Sequence, residues 1–346
     1  MKARCEGWRR LTAISRPVGP DRIRSPKGIA SCIPTSTLRP CSRTGPHQFV
    51  GFGLPAEDVA RVRAATTDFW ADAPGGWVHG FSALAAGYAA EGKHLLASPA
   101  YGCAKFPCLA DEARRPALAH QLEQYLLAAP SFPVQFERRV LPVVAGAGTV
   151  DLPVHLFKTT DSLDEAPVLL LSGGVDTFNM DVHAWCVTLA QHTRATVLAF
   201  DMPGTGENPV PLGPDADALI RSLVTAARGI GNGIVDHLGI SFGGNFSAMT
   251  GLTGIVDVAV VLGGPVDGAF APANLAQLPY GMADIIGSAL GFDHPVTVDE
   301  LFAAGGRPRV GSSTTPSGPS PASRWASPTT RSATTWTRSA CSSSGR

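Results

Sequence analysis

At 346 residues, 44% hydrophobic and 16% charged, the chain is long enough to bury one large core or two modest ones. Its zero net charge averages three unlike pieces: residues 1–47 carry ten Lys/Arg against Glu6 and Asp21, residues 305–346 carry six Arg and no acid, and residues 48–304 hold 12 basic and 26 acidic side chains. An acidic body argues against nucleic acid as a partner, no apolar run approaches the ~18 residues of a membrane span, and seven cysteines without a C-x-x-C pair fit a reducing cytoplasmic compartment better than a disulfide framework or a zinc site.

Residues 1–47 alternate Pro, Arg, Ser and Cys without period, and are expected to be a disordered leader or translated upstream DNA. They lack the apolar segment of a secretory signal. From Phe49 the texture changes. Pro55 opens a helix expected to run through Phe69-Trp70, with Glu57 and Asp58 in its first turn. A second helix is expected from Gly76 to Lys93, carrying Trp77, Phe81, Leu84, Ala85 and Tyr88 at helical spacing. Residues 95–110 suggest a short helix between two prolines, and Asp111–Ala128 another with a stripe of Leu118, Leu122, Tyr125 and Leu126. Residues 48–130 are therefore a helical block whose aromatic stripe reads as core. Tyr101 and Lys105 are its polar candidates, both read as structural.

Residues 131–304 read as an α/β core, in which strands alternate with helices. Val134–Val144 and Val150–Lys158 read as an antiparallel pair around Ala145-Gly146-Ala147-Gly148. Val168–Leu171, Thr196–Phe200, Ile234–Gly239 and Val256–Leu262 are short apolar runs, separated by helices around 180–191, 215–228 and after Ser241. Each strand ends in a Gly-rich loop, which gives a mostly parallel, doubly wound sheet with its site at the strand C-termini. Residues from about 266 to 304 read as a mostly helical insertion. The last 42 residues contain 18 Ser or Thr and no acid, and read as a disordered tail.

The chemistry-bearing stretch is Gly239-Ile240-Ser241-Phe242-Gly243, a G-x-S-x-G between a strand and a helix. A sharp turn of this kind lifts a serine hydroxyl above a parallel sheet. Serine needs a base and a stabilised oxyanion. The backbone N–H of Phe242 is one expected oxyanion donor. Gly174, in Ser172-Gly173-Gly174-Val175, is the preferred second, with Val175 the neighbour that could replace it. Asp201, in Asp-x-Pro-Gly-x-Gly, reads as turn chemistry, and Asp267 as a surface acid that could orient a histidine. His237 lies within the serine strand and reads as packed. His294, beside Pro295, is a weak candidate base. No credible strand follows about 265, so the base is missing. No G-x-G-x-x-G, P-loop, metal-ligand spacing or other cofactor motif is present.

Four motifs in order carry a resemblance: Tyr101-Gly102-Cys103-Ala104-Lys105-Phe106-Pro107, Leu171-Ser172-Gly173-Gly174-Val175-Asp176, Phe200-Asp201-Met202-Pro203-Gly204-Thr205-Gly206-Glu207, and Gly239 through Asn245. Residues 49–304 resemble the FrsA-like esterases of the α/β-hydrolase superfamily, whose relatives include pseudooxynicotine-type C–C bond hydrolases and fungal polyketide-shortening hydrolases. The resemblance implies an α/β-hydrolase fold with an N-terminal helical cap, truncated at its C-terminal end. It also implies Ser241 as nucleophile and a small-molecule ester or ketone substrate. The family's acid and histidine would follow the insertion, where this sequence departs from it.

A shifted reading frame accounts for that departure. Joining the third base of each codon from Trp325 onward to the next two bases turns Trp325-Ala326 into glycine and Trp336-Thr337 into aspartate. With GC-rich codons, residues 328–332 become Asp-Asp-Pro-Leu, similar to the acid-bearing loop of such hydrolases. Residues after about 305 are therefore expected to be a frameshifted C-terminus. The leading expectation is a serine hydrolase acting through an acyl-enzyme at Ser241, impaired without its histidine. The competing one is a non-catalytic homologue that binds a small apolar ligand. A homodimer is left open.

Overall fold

The computed structural model describes residues 48–162, 166–265, 281–294, 296–297 and 299–301. The leader 1–47, the stretch 266–280 with Asp267, and residues from 302 lie outside the described residues, as do the expectations placed on them.

Four helices come first: α1 (Ala56–Ala65), α2 (Trp77–Ala90), α3 (His94–Lys105) and α4 (Arg114–Ala128). The first is shorter than its sequence suggests. Thr66 leaves it in an extended conformation, and the Asp68 carboxylate accepts the N–H groups of Trp70 and Ala71, a local turn that competes with helix. Pro99 lies inside α3 rather than bounding it. Its missing amide falls opposite the carbonyl of exposed Leu95, where water can replace the lost bond.

The aromatic stripe is core, as expected. Trp77 packs 4.7 Å from Phe81 and 5.0 Å from Phe69 between ring centroids, and Phe49 closes on Phe106 at 5.3 Å. Arg114 is fully buried beside them, and its guanidinium donates to the carbonyls of Phe69 (2.7 Å) and Phe106 (3.0 Å) and to Asp111. The leucine stripe of α4 is only partly inward. Ala117, Gln121, Gln124, Tyr125 and Ala128 are buried, Leu118 and Leu122 are half-buried, and Leu126 faces solvent. Two glutamines displace leucine from the buried face because each has a partner there: His94 for Gln124 and Asp181 for Gln121.

The sheet follows: β1 (Gln135–Ala145), β2 (Gly148–Lys158), β3 (Val168–Ser172), β4 (Thr196–Phe200), β5 (Val235–Ile240) and β6 (Val258–Leu262), in the order β1-β2-β4-β3-β5-β6. The β1–β2 and β2–β4 pairs are antiparallel and the rest parallel. All five residues of β3 are buried, the pattern of a strand covered on both faces. Leu170, Leu198 and Val235 face α6 (Ala216–Arg228), whose Leu219, Ile220, Leu223 and Val224 fill that side. Leu169, Leu171, Val197 and Leu238 face α5 (His183–Thr193) and α4. After β5 comes α7 (Gly243–Leu252), and α8 (Met282–Ala289) packs on the first of these cores.

Between α4, α5 and β2 sits a histidine–aromatic cluster. The His155 ring stacks on Tyr125 at 5.3 Å, and Tyr125 Oη hydrogen-bonds His183 Nδ1 at 2.9 Å. Burial holds the His155 imidazole down to about 3 and His183 to about 4. Both are therefore neutral in the fold, whereas in the unfolded chain they titrate near ~6.5. As pH falls below that value the unfolded state takes up protons first, and stability is lost. Among the described residues neither His155 nitrogen has a hydrogen-bond partner. A His155→Phe variant is expected to match the parent at pH 7 and to exceed it by roughly 2–3 kcal/mol at pH 4.5, read by urea unfolding at both pH values.

β6 is covered unevenly. Its Ala259 lies against Gly251 of α7, and Val261 reaches Gly244 while staying 48% exposed. On the other face Val258, Val260 and Leu262, in register with Asp236, Leu238 and Ile240, remain 44–54% exposed. Among the described residues no strand pairs with its outer edge. A bare apolar edge is an aggregation liability, and lysine on an edge blunts it. Val260→Lys is expected to reduce self-association in light scattering without lowering the unfolding midpoint.

Candidate active site

The site is built at the C-terminal ends of β3 and β5. Gly239, near the end of β5, has no room for a side chain: a Cβ there would collide with the Gly243 carbonyl at the start of α7. Strand and helix can pass this closely only with glycine at that point. The chain then turns through Ser241, which has φ +55°, a left-handed conformation that costs a residue with a Cβ on the order of 1–3 kcal/mol. Tertiary bonds hold the turn in place. Ser241 N donates to Leu262 O of β6 (2.8 Å), Gly244 N to Ser241 O (2.9 Å), and Gly243 N to Gly173 O (3.1 Å). Ser241 itself is exposed to solvent.

The β3 loop closes over the same point. A Cβ added to Gly174 would lie 2.8 Å from Ser241 Cβ, 2.9 Å from its Oγ and 3.5 Å from Phe242 N. Three residues singled out in the sequence, Ser241, Gly174 and Phe242, are thus brought together at the first turn of α7. The positive end of the helix dipole adds to any N–H donors aimed there.

The loop that carries Gly174 is fastened on several sides. Asp181 Oδ2 accepts the Phe178 N–H (2.8 Å) and the Lys105 ammonium (2.7 Å), while Asp181 Oδ1 accepts Gln121 Nε2 (2.7 Å). The Lys105 ammonium also lies 3.9 Å from the centre of the Phe178 ring. Lys105 and Asp181 are both buried. Gly102 makes space for this network, since a Cβ there would come within 2.8 Å of both Asp181 Oδ1 and Gln121 Nε2. Gln48 Nε2 donates to Thr177 Oγ1 (2.9 Å).

Asp201 is a staple between loops, the turn role its motif suggests. Its two carboxylate oxygens accept Asn179 N (2.7 Å) and Glu207 N (2.9 Å), and its own carbonyl accepts Asn208 Nδ2 (2.8 Å). Burial pushes its carboxyl up to about 7, against the lowering effect of those two amides. His237 is fully buried, bonds Thr250 Oγ1 through Nδ1 at 3.0 Å, and is held down to about 3 by burial. It is a packed core histidine. His294 is half-exposed and bonds Asp293 Oδ1 at 2.9 Å. Among the described residues no imidazole is hydrogen-bonded to Ser241. The half-buried Tyr101 ring packs 5.2 Å from His120. Asp181 and Gln121 escaped sequence reading. Each is a single polar residue in an ordinary stretch, and only the fold pairs them with Lys105.

A family model described as "Esterase FrsA-like" matches residues 70–303, about two thirds of the chain. The chain belongs to the FrsA-like esterase family. It is an esterase-like enzyme of α/β-hydrolase fold, with helices preceding a mixed sheet. Two solved structures share that fold with this FrsA-like chain. AbyA5 is 22% identical, covering 71% of this chain and 68% of its own, with a TM-score of 0.61. The 2,6-dihydroxy-pseudo-oxynicotine hydrolase is 21% identical, covering 74% and 73%, with a TM-score of 0.56. No curated protein matches the sequence. Among the described residues no helix is long and apolar enough to cross a membrane, and no cluster of His, Cys, Asp and Glu could hold a metal.

Proposed function

We propose that this FrsA-like chain is a serine hydrolase acting on a small-molecule ester, or on a C–C bond next to a carbonyl, through an acyl-enzyme at Ser241. One observation carries the reading: a serine at φ +55° stands at the first turn of α7 with Gly174 closed against its Oγ. Backbone strain at a non-glycine residue is maintained where the chemistry needs the side chain lifted clear of the sheet. Ser241 Oγ attacks the carbonyl carbon, and the N–H groups of Phe242 and of the Gly174 loop receive the negative charge that develops on its oxygen. The leaving group departs with a proton, and water then releases the acyl group. The helical block of 48–130 acts as a cap, and 131–304 as the catalytic core. No imidazole among the described residues is hydrogen-bonded to Ser241, and this reading expects the catalytic histidine to be missing from the chain. Turnover would then fall to what oxyanion stabilisation and binding provide. Three buried, unpaired thiols, Cys103, Cys108 and Cys186, fit a reducing cytoplasm.

The absence of a hydrogen-bonded imidazole at Ser241 among the described residues favours a second reading, a non-catalytic homologue that binds a small apolar ligand. The two separate by p-nitrophenyl ester turnover and fluorophosphonate labelling of this chain and of one with its reading frame shifted from codon 305. The hydrolase reading expects Ser241 to be labelled and turnover to rise sharply in the frame-shifted chain. Labelling of neither chain leaves the binder.

A further inference from the structure

The Lys105–Asp181 pair is buried, ties a helix of the N-terminal block to the loop after β3, and has no part in the reaction as described. We propose that Lys105 is a positioning residue: through Asp181 it sets the loop whose Gly174 faces Ser241. This rests on the reading of Gly174 and Phe242 as the oxyanion site.

The geometry gives the pair a specific job. One carboxylate oxygen of Asp181 receives both the Lys105 ammonium at 2.7 Å and the Phe178 N–H at 2.8 Å. The cation therefore acts on the loop backbone through a single atom. The other oxygen is taken by Gln121 of α4 at 2.7 Å, so two helices of the block converge on one loop acid. The ammonium also sits 3.9 Å from the Phe178 ring centre, which pins the side chain next to that amide. At the loop's other end Gly173 O accepts Gly243 N at 3.1 Å, the first residue of α7. Residues 173–181 are thus held at one end by the serine helix and at the other by the helical block. Displacement of the block would move Gly174 relative to Ser241, since donors must meet the oxyanion within a few tenths of an ångström.

Arg114 supplies the control. It is an equally buried cation of the same block, but its partners are Phe69, Phe106 and Asp111, none of them in the loop. The variants are Lys105→Met, the charge-neutral pair Lys105→Met/Asp181→Asn, and Arg114→Met. Each is read in the full chain by hydrogen exchange of residues 173–182 and by the kinact and KI of Ser241 labelling with an alkyl fluorophosphonate. The two Lys105 variants are expected to exchange tenfold or more faster across the loop. Their kinact should fall at least tenfold while KI stays within threefold. Folded Arg114→Met should leave both unchanged. Should both Lys105 variants fail to fold, Gln121→Met, which removes one donor to Asp181, is expected to show the same pair of changes at about threefold. Loop exchange equal to the parent's, or Arg114→Met loosening the loop as much, overturns the proposal. A parent chain that takes no label sinks the nucleophile reading alone, and loop exchange still decides the clamp.

Discussion

A Ser241→Ala variant is expected to lose fluorophosphonate labelling completely and, in the frame-shifted chain, to bring ester hydrolysis down to the residual level that the oxyanion site and binding provide. In a hydrolase with complete machinery, removing the nucleophile costs on the order of 10⁶ in kcat. Labelling reads the nucleophile directly, so loss of label is the sharper measurement here. The fold should survive, because alanine keeps the Cβ that serine already carries at φ +55°. Glycine at this position is the informative companion. It removes the left-handed strain, and Ser241→Gly is expected to be about 1 kcal/mol more stable than Ser241→Ala in urea unfolding while equally unreactive. A site that gains stability on losing its side chain is one where strain is maintained for chemistry. Persistent labelling in the alanine variant would move the nucleophile elsewhere.

Gly174→Ala should produce the second-largest loss. The new methyl would stand 2.8 Å from Ser241 Cβ and 2.9 Å from Oγ, so Ser241 must turn its hydroxyl away and the space for a substrate oxygen is filled. A fall in turnover of roughly 10²–10³ is expected, the size seen when one oxyanion donor is removed. Gly173 offers a contrast. There a Cβ would meet the Thr177 carbonyl, so Gly173→Ala should disturb the loop itself and appear first as faster hydrogen exchange over residues 173–182. Parent-like kinetics in Gly174→Ala would place the oxyanion site somewhere other than this loop.

Buried ionisable groups make acid a second lever on the molecule. Asp201 and Asp284 are pushed up by burial to about 7 and about 6, whereas the buried histidines are pushed down. The carboxyls, raised above their unfolded value of ~4, contribute stability as pH falls from about 7 toward ~4, and the histidines remove it over the same interval. The two groups oppose one another. The His155→Phe comparison is therefore made as a difference from the parent, in which the carboxyl contribution cancels.

Much of this protein was legible in its residue order. Unbroken apolar runs such as Val168–Leu171, each followed by a Gly-rich loop and a helical stretch, specify a parallel sheet covered on both faces, because only burial on both sides tolerates such runs. Gly239-x-Ser241-x-Gly243 and Gly173-Gly174 announced themselves, since close approach of strand, helix and loop demands glycine at fixed spacing. The nature of Asp201 as a turn residue and of His237 as a packed one was also readable, from a motif and from a strand position. Element ends were less so. Asp68 cut α1 short through its own side chain, and α3 absorbed Pro99, whose lost bond falls at exposed Leu95. What tertiary structure alone decided was the company each polar residue keeps. Lys105, Gln121 and Asp181 are separated in sequence and carry no shared motif, and the opposite charges of Lys105 and Asp181 become tolerable in the interior only when packing pairs them and brings the Gln121 amide within hydrogen-bond distance.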